Sequence, residues 1–277
     1  MYFEDLYVGQ TFVSGERTIT ESALEAFADV SGDRSAMHTD PEYAAGTQFG
    51  QRLVHGPLGL SMIFGFMHEL QVFGNIVALL DAHWSFPAPI FVGDSLHFEM
   101  TIVRCRRTSA GDRGYVNRDV RLINQDGVVV QAGTTACLIE ARSSDASSDP
   151  VGRDFCTIPW GRALAELLSN DPEFSSATAS FDGTVGLESG ETQVQLRIYR
   201  GKIIEVTRRT PQGATFVISG TERAWIDLAL SERDDYVVRT IGNEFHTTGN
   251  GFEYLRLTKA VQLIWSSVKK LAAGEQK

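Results

Sequence analysis

Residues 55–73 have the sequence HGPLGLSMIFGFMHELQVF. Proline suits the first turn of a helix, so Pro57 marks a helix start. From there to about Phe73 the segment is apolar on most sides, which predicts a buried central helix. Strand-like segments separated by turn residues follow it, at Ile76–Leu80, His83–Phe86, Ser95–Cys105, Tyr115–Ile123 and Val128–Ile139. One buried helix followed by an antiparallel sheet predicts an α+β domain whose sheet wraps around the helix.

The composition is that of a globular protein with two ordinary domains. The chain has 277 residues, 43% of them apolar and 22% charged, enough to fill two cores. Its net charge of -10 argues against a nucleic-acid partner, since phosphates need a basic surface. No apolar run approaches the length of a membrane span, and the N-terminus does not resemble a signal peptide. The three cysteines have no CxxC spacing, which favours reduced thiols in a cytoplasmic protein.

A domain boundary is predicted in the segment ARSSDASSDPVG at residues 141–152. This segment is rich in Ser, Asp and Gly and has little to bury. The predicted domains are therefore residues 1–143 and 153–277.

The first domain contains a carboxylate and an imidazole five positions apart, Asp33 and His38. A helix capped by Thr20 is predicted to end at Gly32, which would place both side chains on one short loop. A carboxylate and a histidine that hold one water between them can perform general acid–base catalysis. The N–H of Gly56, at the start of the central helix, could stabilise a developing oxyanion.

Spacing alone does not establish this site, because an Asp and a His five apart are common by chance. The alternative is that Asp33 caps a turn, His38 is a surface residue and His55 is a satisfied core histidine. No cluster has the spacing of a metal site, and no metal or cofactor is expected.

The surrounding residues resemble the motif of the MaoC-like dehydratases, the (R)-specific enoyl-CoA hydratases. That motif is approximately G-D-x-N-P-x-H-x-D followed by V-H-G, and this chain has GDRSAMHTD at residues 32–40 and VHG at 54–56. A later segment, WSFPAPIFVGD at 84–94, is similar to the family's F-x-x-P-V-x-x-G-D. The resemblance implies a hot-dog fold, a catalytic pair at Asp33 and His38, and an oxyanion donor at Gly56.

The resemblance also suggests residues that contact the substrate, His55, Ser35 and Ser61. Ser61 lies one turn along the central helix, where a serine more often serves packing. The chain departs from the motif at Ser35 and Ala36, where the family has Asn and Pro. Neither replaced residue is an acid or a base, so activity is still expected, but the substrate is left open.

The second half resembles a sterol-carrier-type (SCP2-like) lipid-binding domain over roughly residues 175–270. The resemblance is carried by a strand–hairpin–strand unit around Tyr199–Lys202, a following strand, and Trp225 in a helix capped by Thr221. Such domains bind acyl chains or sterols. The alternative is a domain that serves only folding or dimerisation, and Trp225, Trp265 and Phe252 are predicted to be core residues in either case.

Together these features predict a hydratase or dehydratase that adds or removes water at the double bond of an enoyl-CoA-type thioester. Coenzyme A would enter as part of the substrate, and an apolar acyl or sterol group would be a second partner. Hot-dog domains pair through their sheets, so a homodimer is expected. Two rivals remain: a non-catalytic acyl-thioester or lipid-binding protein with a degenerate hydratase loop, and a hot-dog thioesterase.

Overall fold

The computed structural model describes residues 1–146, 149–233 and 235–274. The chain divides into two compact units, residues 1–146 and 147–277. No helix in the described part of the chain is long and apolar enough to cross a membrane.

The first unit is one sheet with one long helix. Its helices are a 3-10 turn at Phe3–Asp5, α1 (Glu21–Ser31), α2 (Ala36–Thr39), α3 (Pro41–Ala45) and α4 (Gly56–Glu69). Its strands are β1 (Thr11–Val13), β2 (Arg17–Thr18), β3 (Ile76–Ser85), β4 (Ser95–Arg107), β5 (Arg113–Asn124) and β6 (Val129–Glu140). The strand order is β1-β4-β5-β6-β3, with β2 also paired to β4, and every pairing is antiparallel.

The central helix α4 supplies the core against which the sheet packs. Ile63 and Phe66 on α4 are buried, as are Phe98 and Met100 on β4 and Val120 on β5. Side chains alternate between the faces of a strand, and the alternate buried positions of β4 and β5 put one face of the sheet on this core. The predicted hot-dog architecture, a helix wrapped by an antiparallel sheet, is therefore the fold of the first unit.

Local sequence signals predicted α1 and α3 correctly, whereas α2 lies where a loop was expected and one strand was predicted incorrectly. Thr20 accepts a hydrogen bond from the Ala23 N–H at the start of α1, and Gly32 ends α1 in the left-handed conformation. The position of Asp40 directly before Pro41 predicts a helix cap, and Asp40 does cap α3. The two strands expected at 76–80 and 83–86 are instead one strand, β3, whose pairing with β6 shifts register twice. One of these shifts lies between Leu79 and Asp81, and the strand continues through the gap between the two predicted segments.

The second unit is also α+β. Its helices are α5 (Ile158–Ser169), α6 (Pro172–Ala177), α7 (Glu222–Leu230), α8 (Tyr236–Ile241), α9 (Gly251–Arg256) and α10 (Thr258–Ala273). Its strands are β7 (Asp182–Ser189), β8 (Thr192–Tyr199), β9 (Lys202–Thr207), β10 (Phe216–Gly220) and β11 (Phe245–Gly249). They form a mixed sheet in the order β11-β10-β7-β8-β9, in which β10 runs parallel to β7.

Several predictions for this unit were wrong. The sequence pattern predicts a strand at 177–181, but these residues are the end of α6 and a turn. It also predicts one closing helix from about residue 251 to 271, which is instead interrupted at Leu257, whose side chain is buried. Trp225 and Trp265 are core residues, but Phe252 is 72% exposed on α9. A short amphipathic helix does not reveal from its sequence whether a neighbour covers its apolar side.

Candidate active site

The segment that carries Asp33 and His38 is folded more tightly than the predicted loop. Gly32 reverses the chain at the end of α1, and residues 36–39 then form the short helix α2, which carries His38. The Asp33 side chain accepts hydrogen bonds from the N–H of Ser35 at 3.2 Å and from its hydroxyl at 2.6 Å. This local turn brings the chain directly into α2.

Ser35 acts on the charge of Asp33. The side chain of Asp33 is exposed, and the hydrogen bonds from the Ser35 hydroxyl and N–H lower the pKa of its carboxyl. A donor to the ionised form favours that form, so Asp33 is a carboxylate at neutral pH. Ser35 thus contacts the Asp33 carboxylate, and its predicted contact with substrate stays a prediction.

The tautomer of His38 is fixed by the backbone. Its Nδ1 lies 2.8 Å from the carbonyl oxygen of Leu53, and a carbonyl only accepts hydrogen bonds. Nδ1 therefore carries the proton in the neutral ring. This leaves Nε2 with a lone pair, which is the form a general base requires.

His55 is a buried support of this arrangement. Its side chain is 1% exposed, and its Nε2–H donates to the backbone carbonyl of Asp33 at 2.9 Å. Its ring stacks on that of His38 with centroids 4.0 Å apart and also packs against Phe27. The prediction that His55 contacts substrate is corrected, because a ring enclosed in this way positions Asp33 and His38 rather than meeting a ligand.

Asp33, His38 and His55 each bring a potential metal-ligating atom within 4.8 Å of the others. One nitrogen of each histidine already donates to a backbone carbonyl. The lone pairs of the remaining nitrogens lie in the ring planes, and the two rings are stacked at 28° to each other. Each histidine therefore has one ring nitrogen left for a proton or a ligand.

Gly56 occupies the first position of α4, beside these histidines in sequence. Pro57 has no N–H, and the N–H of Leu58 donates to the carbonyl of His55 at 3.0 Å. Within the described part of the chain, this leaves the Gly56 N–H as the donor of that turn without an acceptor. The ring of Phe86 lies so close to Gly56 that a Cβ there would come within 2.8 Å of it.

Ser61 lies outside this cluster of contacts. Its hydroxyl donates to the carbonyl of Pro57 at 2.8 Å, within α4, and the residue is exposed. It remains available to a ligand on that side of the helix, but no contact joins it to Asp33 or His38 in the described residues.

The sequence analysis assigned no role at the site to two residues that the structure places there, Gln131 and Trp84. The Gln131 side-chain amide donates to the Gly56 carbonyl at 2.9 Å, and its oxygen accepts from the Trp84 Nε1–H at 2.9 Å. The available signal was a glutamine inside an apolar strand, since a buried polar side chain needs a partner. Nothing in the sequence indicated that the partner was Gly56.

Comparisons with known proteins identify a family and relatives of this chain. A family model described as the MaoC like domain matches residues 6–123. The (R)-specific enoyl-CoA hydratase of Aeromonas caviae is 31% identical over 133 residues, covering 48% of this chain and 95% of that protein. The 3-hydroxybutyryl-CoA dehydratase of Methylorubrum extorquens is 31% identical over 102 residues, covering 37% of this chain and 56% of that protein.

A solved structure, that of a putative MaoC domain protein dehydratase from Chloroflexus aurantiacus, matches with a TM-score of 0.50 and 25% identity. The match covers 53% of this chain and 42% of that one. The first unit has the hot-dog fold, and the two relatives named above are a hydratase and a dehydratase. The chain belongs to the MaoC-like family. The matched residues of the family model all lie in the first unit.

Proposed function

We propose that this protein is an enoyl-CoA hydratase or 3-hydroxyacyl-CoA dehydratase, with Asp33, His38 and Gly56 as its reacting groups. The observation that carries the proposal is the hydrogen bond from His38 Nδ1 to the Leu53 carbonyl. It holds the imidazole as the tautomer with a basic Nε2, in the same cluster as an ionised carboxylate. Relatives named as hydratases and dehydratases add support.

In the hydration direction, a water held between the Asp33 carboxylate and His38 Nε2 would lose a proton to this pair. The water oxygen would bond to the β-carbon of the thioester, and the thioester oxygen would become an enolate accepting from the Gly56 N–H. A proton returned to the α-carbon completes the addition of one water. Asp33 is assigned as the acceptor of the water's proton and His38 as the group that orients and shares it.

The test is the loss of enoyl-thioester absorbance with a short and a long enoyl-CoA. A positioned acid or base contributes about 10²- to 10⁴-fold, so Asp33→Asn and His38→Ala should each lower kcat by at least about 10²-fold. His246→Ala, an exposed histidine of the second unit, is the control and should keep the native rate.

A parallel measurement of free thiol separates the rivals, because thioester hydrolysis also removes the enoyl-thioester absorbance. Release of free thiol without hydration would favour a thioesterase, for which a carboxylate alone could activate water. If the native protein and both site variants share one background rate with every chain length, the enzyme proposal is wrong. Tight binding of the enoyl-CoA without turnover would then favour a degenerate, non-catalytic binding protein.

The proposed enzyme is a homodimer that pairs through β3. This strand is at the edge of the sheet, and its apolar side chains are exposed: Ile76, Val77, Leu79 and Leu80. A long apolar edge strand is a surface that proteins normally cover. A cytoplasmic location also stays a prediction.

For the second unit we propose an SCP2-like role, binding the apolar acyl or sterol part of a ligand. Support comes from the hairpin between β8 and β9, the buried Trp225 on α7, and apolar side chains exposed on α8 and α9: Val237, Val238, Ile241, Phe252 and Leu255. Displacement of a fluorescent fatty acid from the full chain tests this role. Phe252→Asp should weaken binding, whereas no saturable binding by the native chain would favour a purely structural unit.

A further inference from the structure

Two side chains of the sheet, Trp84 on β3 and Gln131 on β6, reach the first turn of α4 through consecutive hydrogen bonds. The indole Nε1–H of Trp84 donates to Gln131 Oε1, and Gln131 Nε2–H donates to the carbonyl of Gly56, each at 2.9 Å. An indole N–H can only donate and a carbonyl can only accept. The orientation of the Gln131 amide is therefore fixed by its two neighbours.

The structure provides a dedicated space for this amide. Gln131 is 1% exposed, and a Cβ on Gly59 would lie 2.8 Å from its Cδ. A glycine inside a helix lowers helix stability, so its presence one turn into α4 has a packing reason. The missing side chain at Gly59 lets the glutamine approach the helix backbone.

Gly56 needs such an anchor more than another residue would. A glycine backbone has wide conformational freedom, and Pro57 removes one N–H that could order the turn. The hydrogen bond from Gln131 restrains the Gly56 carbonyl, and with it the orientation of the residue whose N–H is the proposed oxyanion donor.

We infer that Gln131 is a positioning residue, held by Trp84, that fixes Gly56 for the reaction. This inference rests on the proposed function. Displacement of reacting groups by about 1 Å can lower rates about 10²-fold, so loss of one of several restraints on Gly56 is expected to lower kcat by about tenfold. The KM for the enoyl-CoA should change less, since Gln131 does not touch the substrate.

The test compares Gln131→Leu, Trp84→Phe and the double variant with Ser85→Ala. Trp84→Phe keeps an aromatic ring but removes the N–H, and should lower kcat in the same direction by a smaller factor. The double variant should resemble Gln131→Leu, because the two residues act in series. Ser85→Ala is the control, since it removes a hydrogen bond between β3 and β6 that does not reach Gly56.

A second readout does not depend on activity. Hydrogen exchange of the Leu60 amide, whose helical acceptor is the Gly56 carbonyl, should quicken about tenfold in Gln131→Leu but not in Ser85→Ala. Unchanged exchange in Gln131→Leu overturns the inference, and so does faster exchange with native kcat. Faster exchange in a protein whose native form never hydrates an enoyl-CoA leaves the anchor in place and removes the proposed function instead.

Discussion

The close approach of Gln131 to Gly59 predicts an unusual result for a glycine-to-alanine change within a helix. Gly59→Ala improves helix propensity by about 1 kcal/mol. The new Cβ would overlap the Gln131 amide, and this side chain, although flexible, is enclosed and held at both ends.

The energetic costs of the new Cβ are larger than this gain in helix propensity. Displacing the amide breaks two hydrogen bonds, each worth about 1 kcal/mol, and overpacking a buried site costs about 1–3 kcal/mol. The net effect is therefore a loss of about 2–4 kcal/mol in the free energy of unfolding, or a melting temperature lower by about 5–10 °C.

Calorimetry of the full chain measures this shift, with Gly65→Ala as the matched variant in the same helix. A Cβ on Gly65 would meet only the end of the Arg17 side chain, at 3.4 Å, so this change should stabilise the first unit by up to about 1 kcal/mol. In a Gln131→Ala background, Gly59→Ala should also become stabilising. The reasoning is refuted if Gly59→Ala is as stable as the native chain, or remains destabilising without the Gln131 side chain.

Three further predictions follow from other contacts. Leu79→Lys puts a charge on the exposed edge strand β3 and should reduce the mass measured by light scattering from dimer to monomer; a native chain that is already monomeric would contradict it. Ser35→Ala removes a donor that lowers the pKa of Asp33. In a plot of hydration rate against pH, the acidic limb should therefore move to higher pH, while the rate at neutral pH stays unchanged. An acidic limb that does not move would contradict the assigned role of Ser35. Arg118 is fully buried, and its Nε and Nη2 have no hydrogen-bond partner among the described residues, so Arg118→Met should raise the free energy of unfolding by about 1 kcal/mol or more; a loss of stability in urea titrations would indicate a partner for the guanidinium.

Elements with strong local signals could be predicted from sequence. The sequence pattern predicts strands over Thr192–Tyr199 and Lys202–Thr207, and β8 and β9 have these bounds, because a tight turn at Arg200-Gly201 separates two clear strand patterns. The caps at Thr20, Asp40 and Thr221 are short-range hydrogen bonds that depend on neighbouring residues alone. The continuity of β3 and the break before α10 depend on tertiary packing, so no local pattern could reveal them.

The residues of the candidate site also divide into those that a local motif predicts and those that depend on tertiary packing. The motif predicted Asp33, His38 and Gly56 as residues of the site. In the structure, Asp33 and His38 lie close together within a short stretch of chain. The role of His55 depends on burial and on a hydrogen bond to a backbone carbonyl 22 positions away. The contact between Gln131 and Gly56 spans 75 positions, which is beyond the reach of spacing arguments.

The hydrogen bonds of the two histidines have a consequence for how this segment can vary among relatives. His55 donates a hydrogen bond to the carbonyl of Asp33, which precedes it in the chain, and His38 donates one to the carbonyl of Leu53, which follows it. The residues between His38 and Leu53 thus form a segment whose two ends are joined by a hydrogen bond. Lengthening a loop that is closed in this way adds only a small entropic cost. We expect insertions and deletions within residues 42–51 to accumulate without disturbing the reacting groups, so that substrate preference could diversify there while the chemistry is inherited unchanged.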